Sequence, residues 1–92
     1  MEKLVLKKPL EYEGKKYEEL QYDLDKLTGD DLLTAEATVN NAGMLAPVID
    51  LSKAYQAAVF ARAAKIEFPM MRKLSAKDFT EATATVMAFF GE

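Results

Sequence analysis

Large apolar residues open the chain at even positions: Leu4, Leu6, Leu10 and Tyr12. A period of two belongs to a strand with one buried face. Glu13-Gly14 then reads as a two-residue hairpin turn, because glycine accepts the positive φ such turns need. Tyr12 would face Lys15, and Leu10 would face Tyr17. On the return strand the apolar positions are Tyr17, Leu20, Tyr22 and Leu24, so the parity changes once. One extra residue at Glu18-Glu19 restores the match, pairing Leu6 with Tyr22 and Leu4 with Leu24. The pattern therefore predicts a β-bulge on the second strand. Pro9 has no N–H to give to a ladder and marks an edge strand or an interruption.

After residue 24 the apolar spacing lengthens to that of helices. In LTGDDL, Thr28 is a helix cap, Asp31 can complete a capping box, and Leu27 and Leu32 have the spacing of a hydrophobic staple. Leu32, Ala35, Glu36 and Val39 form a modest stripe that Gly43 ends. Asp50 or Ser52 can cap the next helix, where Leu51, Tyr55, Ala58, Val59 and Arg62 recur at helical spacing among many alanines. Glu67-Phe68-Pro69 breaks that pattern. LSAKDF repeats the grammar of LTGDDL, with Ser75 as cap, Asp78 as third helical residue, and Leu74 and Phe79 as the staple. Phe79, Ala82, Val86 and Phe89 or Phe90 then mark one face. The expected fold is α+β: an antiparallel hairpin at about 3–24, then helices at about 29–41, 52–65 and 76–90. A short helical turn at 70–74 would make a fourth helix, and all of it shares one small core in a single domain, 1–92.

Composition narrows the chemistry. The chain has 92 residues, half of them hydrophobic and 29% charged, which suits a single small folded unit. It contains neither Cys nor His, which removes disulfides, thiolate zinc sites, Ser-His-Asp and Cys-His catalysis, and most metallohydrolase designs. The Asp23–Asp31 acids fail the calcium-loop pattern, with Thr28 in the glycine position and Thr34 in place of the bidentate glutamate. Neither Ser52 nor Ser75 has a lysine three residues on, and the four glycines are isolated, so Ser-Lys and phosphate-loop chemistry are absent. No catalytic residue, cofactor or metal ligand is expected. A net charge of −3, with Asp78 and Glu81 early in the last helix, argues against a nucleic-acid partner. MEKLVLKKPL has no apolar run long enough for a signal peptide, and the alanine-rich helix carries Gln56, Arg62 and Lys65, so no membrane segment is expected.

What remains is interaction surface. Between Lys26 and Lys53 every charge is acidic (Asp30, Asp31, Glu36, Asp50), and from Lys53 to Lys77 the bias reverses. The two readings are solvated faces or complementary patches that orient subunits or a client, self-association included. Met70-Met71 and Phe89-Phe90 are adjacent pairs, and a single helix face cannot bury both members of a pair fully. Met44, Leu45, Val48 and Ile49 crowd a connecting segment. These eight residues are either completion of a small core or an adaptable partner-binding surface.

Taken in order, LKKPLEYEGKKYEELQYDL, LTGDDLLTAEA, LSKAYQAAVFARAA and LSAKDFTEATATVMAFF make nearly the whole chain resemble the phage tail assembly chaperones of tailed bacteriophages and prophages. The resemblance implies a non-enzymatic protein in the cytoplasm of the bacterial host. Its partners would be the long, apolar, helical tape measure protein and the tail tube protein, and it would be absent from the finished tail. It also implies that this chain could be the short form of a pair, the longer one made by ribosomal frameshifting. The alternative is a small structural tail or head–tail component retained in the virion. The family has no binding motif that transfers residue by residue.

Overall fold

The computed structural model describes residues 2–44 and 52–91. Strands β1 (Glu2–Tyr12) and β2 (Lys15–Tyr22) form a two-stranded antiparallel sheet. Its turn places Glu13 at φ 51° and Gly14 at φ 80°, both left-handed, as a two-residue hairpin turn with the strands' own twist requires. Tyr12 pairs with Lys15 and Leu10 with Tyr17. Further along, Leu4 pairs with Leu20 and Glu2 with Tyr22. The irregularity lies on β1: between the Val5–Glu19 and Leu10–Tyr17 pairs, Leu6 to Pro9 stand opposite Glu18 alone.

This corrects the bulge expected at Glu18-Glu19. Three extra residues on β1 change the parity as well as one extra on β2, and Leu4, Leu6, Leu10, Leu20 and Tyr22 all end up buried. The physical reason for the choice is Pro9, which offers the ladder no donor. A second reason comes from the far end of the chain, where Asp78 takes the N–H groups of Lys7 and Lys8. Leu24 is not a strand residue; it opens a 3-10 turn, Leu24–Lys26, and is buried there.

Among the described residues four helices follow: α1 (Gly29–Asn41), α2 (Lys53–Ala64), α3 (Phe68–Met71) and α4 (Ala76–Phe90). The molecule is α+β, with an antiparallel hairpin followed by these helices. α2 is its centre. It packs against α1, α3, α4, β2 and the 3-10 turn, and every residue from Tyr55 to Ala61 is buried. Where a one-sided stripe is expected, burial goes all round, because small alanines let neighbours approach from several sides. α3 starts at Phe68 because Pro69 fits the first turn, where no N–H is needed.

The two longer inner helix ends share a geometry. Met44 N–H donates to the Val39 carbonyl and Gly43 N–H to that of Asn40, with Gly43 at φ 76°. Ile66 N–H likewise donates to Ala61 and Lys65 N–H to Arg62, but there the left-handed residue is Lys65, at φ 57°. Both strands and all four helices contribute to one core cluster, which includes Leu20, Val39, Phe60, Met71 and Val86.

Candidate partner-binding surface

α4 is fixed at its start by Asp78, which is fully buried. Ser75 Oγ accepts the Asp78 N–H at 3.2 Å, the usual first half of a helix cap. The Asp78 carboxylate reaches outward: Oδ1 accepts Lys7 N–H at 2.9 Å, and Oδ2 accepts Lys8 N–H at 3.1 Å and the Ser75 hydroxyl at 2.9 Å. Burial by itself raises the carboxyl pKa, but the two N–H donors, the serine hydroxyl and the Lys7 charge outweigh it. The group is held below the ordinary carboxylate value. Thr83, also buried, bonds its hydroxyl to the Thr80 carbonyl at 3.0 Å.

With α4 so anchored, an apolar groove of about 430 Å³ opens between the end of α1, the start of α2, α3 and the first turns of α4. Met44, Ala54, Phe68, Leu74 and Phe79 line it, and among the described residues Arg72 is the one charged side chain that does. Phe68, Phe79 and Met44 are half-buried and packed against the core.

The eight apolar candidates are distributed unevenly. Met44 lines this groove. Met70 and Met71 are core residues, 2% and 0% exposed, so neither presents a side chain to a partner. A one-turn helix packed against α2 buries both members of the pair, and Met70 also borders a hollow shared with Tyr12 and Tyr17 of the hairpin. Phe89 and Phe90 are half-buried at the far end of α4, where Phe90 stacks on Tyr55 with centroids 5.8 Å apart and Phe89 tilts against Phe90 at 6.3 Å. Leu45, Val48 and Ile49 lie outside the described residues. Phe68 and Phe79, which line the groove, are by pattern a helix-break residue and a staple residue. Phe68 stands two residues before the methionine pair, so burying Met70 and Met71 leaves it at the edge, whereas the position of Phe79, in the next helix, carries no such signal.

The charge bias along the chain is partly consumed within the molecule. Arg62 of α2 donates from Nε to Asp31 Oδ1 at 3.2 Å and from Nη2 to the same oxygen, joining the basic stretch to the acidic one. Among the described residues no cluster of three acidic side chains is arranged to hold a metal ion. No helix among the described residues is long and apolar enough to cross a membrane.

No curated protein and no solved structure matches the chain. Residues 3–91 match the family described as phage tail assembly chaperone proteins, E, or 41 or 14. That match spans the hairpin, the Asp78 anchor and the groove alike, and the chain belongs to the phage tail assembly chaperone family.

Proposed function

We propose that this protein holds an apolar helical segment of the tape measure protein in the groove walled by Met44, Phe68, Leu74 and Phe79, and keeps it soluble while tail tube subunits assemble on it in the host cytoplasm. The observation that supports this most is the groove itself: a concave apolar surface with Arg72 beside it, built on helices whose positions are set by buried contacts. A helix lies in such a groove by inserting residues spaced three and four apart between aromatic walls. Methionine at one wall adapts to irregular clients.

Co-expression tests it. The tape measure protein should be more soluble with this chain than alone, and Phe68→Ser with Phe79→Ser should abolish the gain while circular dichroism shows the helices retained. Unchanged solubility with the native chain would reject the proposal. Mass spectrometry of purified particles separates it from the structural alternative, since a chaperone should be missing and a tail component present in many copies.

A further inference from the structure

The opposite end of α4 borders a second groove, of about 570 Å³, and its character is different. Its apolar surface comes from Tyr22, Leu24, Ala88 and Phe89, and Thr85 closes one side. Three carboxylates, Glu2, Asp23 and Asp25, ring it, and among the described residues no basic one lines it. The nearest strand lysine, Lys3, is engaged with Glu19 at 3.7 Å. None of the three carboxylates makes a side-chain hydrogen bond or ion pair among the described residues; Asp23 stands at the cap position of the 3-10 turn without bonding it. The negative field reaches the groove wall, where burial first and the Glu2 charge next push the Tyr22 hydroxyl above its ordinary pKa. α4 ends here with no basic residue in its last turn, so the negative end of its dipole is uncompensated.

We infer that this groove docks a cationic amphipathic helix of a partner protein: an apolar residue enters against Phe89, Leu24 and Ala88, and flanking Lys or Arg side chains meet Glu2, Asp23 and Asp25. Three idle acids beside the apolar surface of Ala88 and Phe89 complement that chemistry, and they repel phosphate, so nucleic acid and anionic lipid are disfavoured. The site is independent of which client the Phe68–Phe79 groove holds.

Two synthetic peptides test it, an amphipathic leucine–lysine helix and its leucine–glutamate counterpart, titrated into the isotope-labelled full chain. The leucine–lysine peptide should shift the amides of Tyr22, Leu24, Thr85, Ala88 and Phe89, and bind at least about tenfold tighter than the acidic one. The triple variant Glu2→Gln, Asp23→Asn, Asp25→Asn should weaken it about tenfold or more and remove most of its salt dependence. Those substitutions delete no side-chain bond of the described fold, and an unchanged amide spectrum away from the groove verifies that. Phe89→Ala, with the acids intact, should weaken binding as well. Absence of binding, equal binding of both peptides, shifts confined to the Phe68–Phe79 groove, or undiminished affinity in the triple variant would each overturn the proposal. So would a concentration-dependent dimer that the triple variant dissolves, which would assign the groove to a second copy of this chain.

Discussion

Two helices of this protein begin with the same four-residue grammar and use it differently. At the start of α1, Thr28 accepts the Asp31 N–H and Asp31 Oδ2 accepts the Thr28 N–H at 2.9 Å, so the box closes on itself at the surface. At the start of α4, Ser75 accepts the Asp78 N–H, but the Asp78 carboxylate turns to the backbone of β1, 70 and 71 residues away in sequence. Periodicity does not distinguish them: Asp31, Ala35 and Val39 follow one another at four-residue steps, and so do Asp78, Ala82 and Val86. Each acid heads the inner stripe of its helix. What differs is the facing element. Asp31 meets the end of a long side chain, Arg62, at the rim, whereas Asp78 meets two main-chain N–H groups that the β1 irregularity leaves without ladder partners. A cap stays local when only solvent and a flexible cation oppose it. It becomes a tertiary joint when orphaned backbone donors do.

Removing Asp78 should therefore have the largest effect. Asp78→Ala leaves the Lys7 and Lys8 N–H groups without their acceptor and empties a buried site, a loss of about 3 kcal/mol or more. Chemical denaturation should show it, with hydrogen exchange at Lys7 and Lys8 accelerating most. Should the alanine variant fail to fold, Asp78→Asn keeps the volume and one acceptor oxygen while turning an amide N–H₂ toward donors. It should fold with a clearly lowered midpoint. An unchanged midpoint for both variants would mean the joint contributes nothing to stability.

Acid should separate the same residue from the rest. Because the folded-state pKa of Asp78 lies below its unfolded value of about 3.9, the folded protein binds fewer protons there. Its contribution is complete above about pH 5 and is lost as pH falls through the carboxylate range toward the folded value. Denaturation midpoints followed downward from pH 6 should drop steeply in the native chain and more gently in Asp78→Asn. Some slope should persist, because Asp31 is also held low, by the Arg62 hydrogen bond first and the Thr28 N–H next. A parallel pair of curves would sink the assignment.

The contrast also marks what was legible beforehand. The hairpin turn and its first pairs follow from alternation and a glycine, both local. The parity change shows that an odd number of extra residues is needed, but it carries no mark of which strand takes them. That was decided by Pro9 together with a carboxylate 70 residues downstream, a non-local contact. Likewise Met70-Met71 is ambiguous in a linear pattern, because one helix face cannot hide both. Two neighbours can, and the groove then falls to Phe68 and Phe79. The fold class was readable because periods are local; the surface was not, because exposure is the residue left over after packing.

At the other helix start the effects should shrink. Thr28→Ala removes the acceptor for the Asp31 N–H at an exposed site, where water can substitute, and should cost about 1 kcal/mol. The same change at Ser75 should cost more than at Thr28: both hydroxyls donate to the acid of their own cap, but Ser75 Oγ reaches the buried Asp78 at 2.9 Å whereas Thr28 Oγ1 meets the partly exposed Asp31 at 3.3 Å. Equal losses at the two serine and threonine positions would remove the distinction between them.

The smallest effect, and the sharpest test of kind rather than size, comes from Arg62→Gln. Its guanidinium is partly exposed and its bond to Asp31 is an ion pair in contact with solvent. Such pairs are screened by salt and often contribute little. The midpoint of Arg62→Gln should fall slightly at low ionic strength and coincide with the native chain at about 1 M NaCl, where the Debye length is about 3 Å. The deficit of Asp78→Asn should persist at that salt concentration, because its partners are main-chain dipoles against a buried carboxylate and no mobile ion reaches between them. The contacts of Asp31 and Asp78, two residues at equivalent positions of the same sequence grammar, would then respond differently to one variable, the salt, for a reason that lies in the element facing each one. If salt erased both deficits, Asp78 would be another surface pair, and the bulge in β1 would need a different explanation.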